Sequence, residues 1–214
     1  MIYTDEGARI LLIHPTDESE EKDAENVLTA IKKQVALPVA YATFPVDDWN
    51  FDLSPWEAPP VFGKEPFGGG ARETLHSITE SFIPEVIEKC SLTNDVQVFI
   101  GGYSLAALFT LWSAYNTDRF SAVAAASPSV WFPGFREYTE DREPSAKYIY
   151  LSLGDAEEKT KNRVMAKVGE NIRAIYSDLA KKLPVSLVWN AGGHFSDPAG
   201  RTASAFAECV RRLS

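Results

Sequence analysis

Three residue types in this chain could together perform nucleophilic chemistry: a serine, a histidine and a carboxylate. Ser104 lies in Gly102-Tyr103-Ser104-Leu105-Ala106, a G-x-S-x-A pattern. An apolar run at 96–100 precedes it, and a stretch apolar nearly all round, 105–115, follows it. That order predicts strand, sharp turn and buried helix, the setting in which a serine hydroxyl is held clear of the chain as a nucleophile. The turn needs small neighbours, and Gly102 and Ala106 supply them, with Ala where Gly is usual. A chance match to this pattern arises in roughly one chain in ten of this length, and a serine capping a helix would look similar. The pattern therefore needs partners.

A serine needs a base to take its proton, and histidine is the usual one. The chain has three: His14, His76 and His194. His194 sits in Gly192-Gly193-His194-Phe195, directly after the last expected strand, where two glycines let the loop turn back sharply. His14 follows the first expected strand, and His76 falls inside a helical stretch. No two histidines share ligand spacing and no acid cluster accompanies them, so no metal site is expected. No cofactor is expected either.

The elements that must position these groups alternate. Strands are expected at 9–14, 38–44, 96–100, 122–126, 148–153 and 185–190. Helices are expected at 20–34, 71–89 with a kink at Pro84, 105–115, 170–181 and 202–213. Such alternation implies one α/β domain over residues 1–214: a mostly parallel sheet of about six strands with helices on both faces. Ligands of such sheets sit at the carboxyl ends of the strands. Ser104 and His194 both fall there, in the chain order nucleophile, acid, histidine. The acid belongs after the strand that precedes the histidine strand, where Asp155, Glu157 and Glu158 compete. It must accept the imidazole N–H and stabilise the imidazolium.

Bulk composition narrows the classes. The 214 residues are 45% hydrophobic, enough for a full core without staples. A formal net charge of −9 opposes a phosphate backbone, so nucleic acid is not an expected partner. The acidic run 17–25 reads as the solvated start of a helix. Cys90 and Cys209 stand far apart and read as two free thiols. Residues 1–7 are polar, with no basic segment leading into an apolar one, and no apolar run approaches a membrane span. The expected compartment is the cytoplasm, with no membrane partner. Oligomeric state is not legible.

Taken in order, these segments resemble the putative esterase family of α/β-hydrolases, which includes esterase D (S-formylglutathione hydrolase), siderophore esterases and feruloyl esterases. Gly68-Gly69-Gly70-Ala71 with Ile83-Pro84-Glu85 resembles its "GGA…LIP" helix. Gly102-Tyr103-Ser104-Leu105-Ala106 resembles its elbow, Ser127-Pro128-Ser129-Val130-Trp131 its "SPS-W" segment, and Gly192-Gly193-His194-Phe195 its histidine loop. Asp52-Leu53-Ser54-Pro55 resembles its "RDLTP" loop, with Phe51 in place of the arginine. The resemblance spans most of the chain and implies hydrolysis of a carboxylic ester through an acyl-enzyme. It points to Glu157 as the acid, with Asp155 second. It also implies an oxyanion amide after the first core strand; Pro15 has no N–H, so Thr16 is the candidate, beside the amide of Leu105.

The expected partner is a small-molecule ester. The rim loops carry Trp49, Trp56, Trp131 and Phe132, and Trp49 and Trp131 are the expected pocket walls for an apolar or aromatic group. The rim offers little positive charge beyond Arg72 and Arg136. That ranks a small acyl or aromatic ester, including one on a sugar, above an anionic ferric siderophore. A non-catalytic binding protein on the same fold and an acyltransferase are the alternatives.

Overall fold

The computed structural model describes residues 1–214, and nine strands account for its frame. They are β1 (Ile2–Thr4), β2 (Ile10–Thr16), β3 (Ala40–Pro45), β4 (Glu57–Ala58), β5 (Phe67–Gly68), β6 (Gln97–Tyr103), β7 (Ala122–Ala126), β8 (Tyr148–Gly154) and β9 (Val185–Asn190). The helices are α1 (Glu18–Glu21), α2 (Ala24–Gln34), α3 (Trp49–Asp52), α4 (Ala71–Ser77), α5 (Ile83–Lys89), α6 (Ser104–Ser113), α7 (Phe135–Glu140), α8 (Val168–Leu179) and α9 (Pro198–Leu213). Seven strands form one sheet in the order β1-β3-β2-β6-β7-β8-β9, and β4 and β5 make a small hairpin apart from it. All pairings in the large sheet are parallel except β1 with β3. The sheet thus has one more strand than the periodicity predicts. Ile2–Thr4 is too short and polar to announce itself, and it is held by the backbone of β3.

The central strands are buried on both faces, as parallel strands covered by helices must be. In β2, Leu11 and Ile13 point into the larger core cluster, which includes residues of α4, α5, α6 and α8. Ile10 and Leu12 point into the other, shared with α2 and α9. The small residues of β7 let both layers close on the sheet. No helix is long and apolar enough to cross a membrane.

Several elements differ from the sequence expectation, three of them close to the positions expected to matter. The strand expected to end at Ile100 continues through Gly101 and Gly102 to Tyr103, pairing with Ala124, Ala125 and Ala126 of β7. The glycines are there for clearance: a Cβ on Gly102 would lie 2.8 Å from the Ala106 Cβ. The helix expected over 71–89 is two α-helices joined by a π-helical turn, Ile78–Phe82, with the Ile83 amide bonding back to Ile78. Pro84 has no amide to donate, and a widened turn before it absorbs the misfit. The helix expected over 20–34 breaks at Lys22–Asp23 into α1 and α2.

Candidate active site

Ser104, Glu157 and His194 all lie beyond the carboxyl ends of neighbouring or near-neighbouring strands: β6, β8 and β9. The β6-to-α6 turn forces Ser104 into the left-handed region, at φ 56°. A non-glycine residue held there costs on the order of 1 kcal/mol or more. The buried α6, with Leu105 to Ser113 all packed inside, resists relaxation of the turn. The result is a serine oxygen 2.9 Å from Nε2 of His194. On the other side of the same ring, Nδ1 lies 2.7 Å from Oε2 of Glu157. Hydroxyl, imidazole and carboxylate therefore touch in series.

The three competing acids have three separate fates. Glu157 is buried, and its Oε1 accepts from the Gly154 amide at 2.7 Å, the Ser127 hydroxyl at 2.8 Å and the Arg201 guanidinium at 3.2 Å. These bonds leave Oε2 aimed at His194. Burial alone would raise its carboxyl pKa. The hydrogen bond and charge of His194, with the Gly154 and Ser127 bonds, outweigh that and hold it below the ordinary range. Asp155 accepts from the Gly192 amide at 2.9 Å, tying the histidine loop to the end of β8. Glu158 turns away and makes a two-point ion pair with Arg173.

The histidine loop is tethered at several points. The Tyr103 hydroxyl donates to the His194 carbonyl at 2.6 Å. Burial raises the Tyr103 pKa, so it keeps that proton. Arg201, nearly fully buried at the start of α9, reaches Tyr103, Ser127 and Glu157 through one nitrogen and the Ala191 carbonyl at 3.0 Å through the other. Gly154 is needed for the loop to close: a Cβ there would lie 2.4 Å from the Gly192 carbonyl oxygen. The Ser127–Trp131 segment approaches the nucleophile directly. The Ser129 amide donates to the Ser104 carbonyl at 3.0 Å, and its hydroxyl lies 3.4 Å from the Ser104 oxygen.

The remaining expected residues fall as follows. Leu105 is the second residue of α6, next to Ser104. Thr16 ends β2 and is buried, with its hydroxyl on Glu21 at 3.0 Å. The β2–β6 pairing ends at Ile13 with Ile100, and Thr16 is paired instead with Pro45 of β3. Trp131 is almost wholly buried, packed among Phe62 and Phe67. Trp49, at the start of α3, is half-buried against the larger core. His14 is not on the rim as its position suggests; it is inside β2, buried, with Nδ1 on the Tyr41 hydroxyl. His76 is exposed on α4, and both cysteines are free. No group of three or more His, Cys, Asp or Glu side chains is arranged to hold a metal ion.

Sheet, elbow and strand-end site together define an α/β-hydrolase-fold protein of the esterase type. The family model Esterase, described as "Putative esterase", matches residues 5–190, and the chain belongs to that family. Among curated proteins it is 23% identical over 136 residues to the uncharacterized protein YbbA of Bacillus subtilis (strain 168). That match covers 61% of this chain and 54% of YbbA, so the chain spans about half of that relative. Solved structures share the fold. The siderophore hydrolase EstA from Aspergillus nidulans is 20% identical, with a TM-score of 0.70 over 97% of this chain and 83% of its own. An IroE-like serine hydrolase from Shewanella oneidensis is 17% identical, with a TM-score of 0.74 over 100% of this chain and 75% of its own. The enterobactin esterase FES from Shigella flexneri is 15% identical, with a TM-score of 0.69 over 100% of this chain and 55% of its own.

Proposed function

We propose that residues 1–214 form one catalytic domain, a cytoplasmic serine esterase that hydrolyses small carboxylic esters through an acyl-enzyme. The observation that carries this reading is the continuous contact from Ser104 through His194 to Glu157, at 2.9 and 2.7 Å. Ser104 attacks the ester carbonyl carbon while Nε2 of His194 takes its proton. The negative charge on the carbonyl oxygen is held by the Leu105 amide, with Thr16 as the second donor. Glu157 keeps the imidazole in the tautomer with the proton on Nδ1 and stabilises the cation that forms. The His194 proton then passes to the leaving oxygen as its bond to carbon breaks. A water molecule, losing its proton to His194, attacks the acyl carbon. Collapse of that second intermediate releases the acid and returns the proton to Ser104.

A fluorophosphonate probe and a p-nitrophenyl ester test this together. The wild type is expected to be labelled once, at Ser104, and to cleave the ester. The Ser104→Ala variant should fold, escape labelling and show no turnover above background. Unchanged turnover in that variant would refute the assignment.

A further inference from the structure

The widest cleft described lies away from the candidate site. With about 790 Å³ at the ends of β2 and β3, lined by Thr16, Asp17, Glu21 and Asp47 among others, it includes neither Ser104 nor His194. The aromatic residues expected to line a pocket are largely turned inward. Trp131 and Phe132 are 7% and 1% exposed, and Trp56 packs on Phe132 and Tyr138. One large apolar side chain does the opposite. Phe195, directly after the histidine, is 91% exposed, whereas the other exposed large hydrophobics lie between 39% and 49%. Its ring stands edge-on to the His194 ring, with centroids 5.2 Å apart. The loop that presents it is fixed by bonds from Tyr103 to the His194 carbonyl, from the Ser196 amide to Gly193 and from Gly192 to Asp155. A phenyl ring held in water forgoes roughly 1.5–3 kcal/mol of burial. Nothing else in the protein covers it.

Resting on the reading of Ser104 and His194 given above, we propose that Phe195 is the specificity-determining wall for the alcohol half of the ester, and that this half is aromatic or bulky and apolar. The argument is positional. The leaving oxygen must come within hydrogen-bond reach of Nε2 to receive its proton. The atoms attached to that oxygen then lie close to the imidazole, and the exposed ring in contact with that imidazole is Phe195, with centroids 5.2 Å apart. An aromatic alcohol would cover the ring in the offset or edge-on geometry such pairs prefer. A methyl or ethyl alcohol has no ring to pair with it and little apolar surface to cover it.

The test is a ratio: kcat/KM for 2-naphthyl acetate divided by kcat/KM for ethyl acetate, which share one acyl group. In Phe195→Ala the ratio is expected to fall about 3- to 10-fold, the worth of one aromatic contact. In Phe195→Trp it should hold or rise. An unmoved ratio in both variants would overturn the proposal, as would a ratio that changes only when the acyl chain is varied. Because the side chain lies outside the core, the alanine variant is expected to fold. Fluorophosphonate labelling of the wild type separates the two levels. A labelled enzyme with an unmoved ratio sinks only the role of Phe195. A wild type neither labelled nor active on either ester sinks the nucleophile assignment, and this proposal with it.

Discussion

The Tyr103 hydroxyl donates to the main-chain carbonyl of His194 at 2.6 Å, so the residue before the nucleophile grips the backbone of the residue proposed as its base. Elbow and histidine loop are thereby fixed to each other independently of the Ser104–His194 bond itself. Tyr103→Phe keeps the ring and removes this tether together with the oxygen that accepts from Arg201 at 3.1 Å. A hydrogen bond of this kind contributes about 1 kcal/mol. If that sum is spent on holding His194 in place, kcat should fall about 5-fold with KM little changed. Steady-state kinetics on one ester decides; a rise in KM with kcat intact would mean that Tyr103 acts on substrate binding instead.

The three acids after β8 give a graded prediction. Glu157→Gln should lower kcat by roughly 10³- to 10⁴-fold, because the amide cannot fix the tautomer or stabilise the cation. Asp155→Ala loses one tether of the loop and should cost less than about 10-fold, in line with a single hydrogen bond. Glu158→Gln breaks a surface ion pair with Arg173, worth about 0–1 kcal/mol of stability and nothing in chemistry. A loss in the Glu158 variant matching that in the Glu157 variant would reverse the assignment.

Strand-to-helix alternation and the two small residues flanking Ser104 were legible because each follows from a local rule of period or clearance. The supporting groups were not, since they come from across the fold. Arg201 left a trace: it falls on the same helical stripe as Ala205 and Cys209, both buried, and a charge on such a stripe demands a buried partner. The partner, Glu157, lies 44 residues away in sequence and on another element, so the pair was invisible until the sheet brought β8 and α9 together. Ser127 and Ser129 stood out as a resemblance without a role. Trp131 packs among Phe62 and Phe67, and an aromatic residue in a loop has the same sequence signature whether it lines a cleft or fills the loop's own core. His14 lies inside rather than on the rim because the strand runs on through Pro15 and Thr16.

The left-handed Ser104 should make the proposed nucleophile a source of instability. Ser104→Gly and Ser104→Ala both delete the hydroxyl, but only glycine accepts φ 56° without penalty. The glycine variant is expected to be more stable than the alanine variant by about 1 kcal/mol, and both to be inactive. Urea denaturation midpoints measure the difference. Equal midpoints would show that the turn relaxes once the hydroxyl is gone.

Two groups that line one cleft with Tyr103 and the start of α9 predict an unusual stability profile with pH. His14 is buried with Nε2 unpartnered, and burial pushes its pKa down to about 4. Half-buried Glu20 has one carboxylate oxygen enclosed without a partner; burial, with Asp17 and Asp23 nearby, pushes its pKa up to about 8. For Glu20 the folded chain keeps a proton that the unfolded chain releases near 4.5. Its contribution is complete below that value and is lost as pH rises towards 8. For His14 the unfolded chain gains a proton near 6.5 that the folded chain refuses, so stability drops as pH falls from 6.5 towards 4. Between 4.5 and 6.5 the two slopes oppose each other. Glu20→Gln removes one of them. Relative to wild type, it should gain stability steadily from pH 4.5 to 8, while its own stability falls from pH 6.5 downwards because nothing offsets His14. Chemical denaturation across pH 4–9 provides the comparison. A constant difference between the two proteins over that range would mean that Glu20 titrates alike in the folded and unfolded chain.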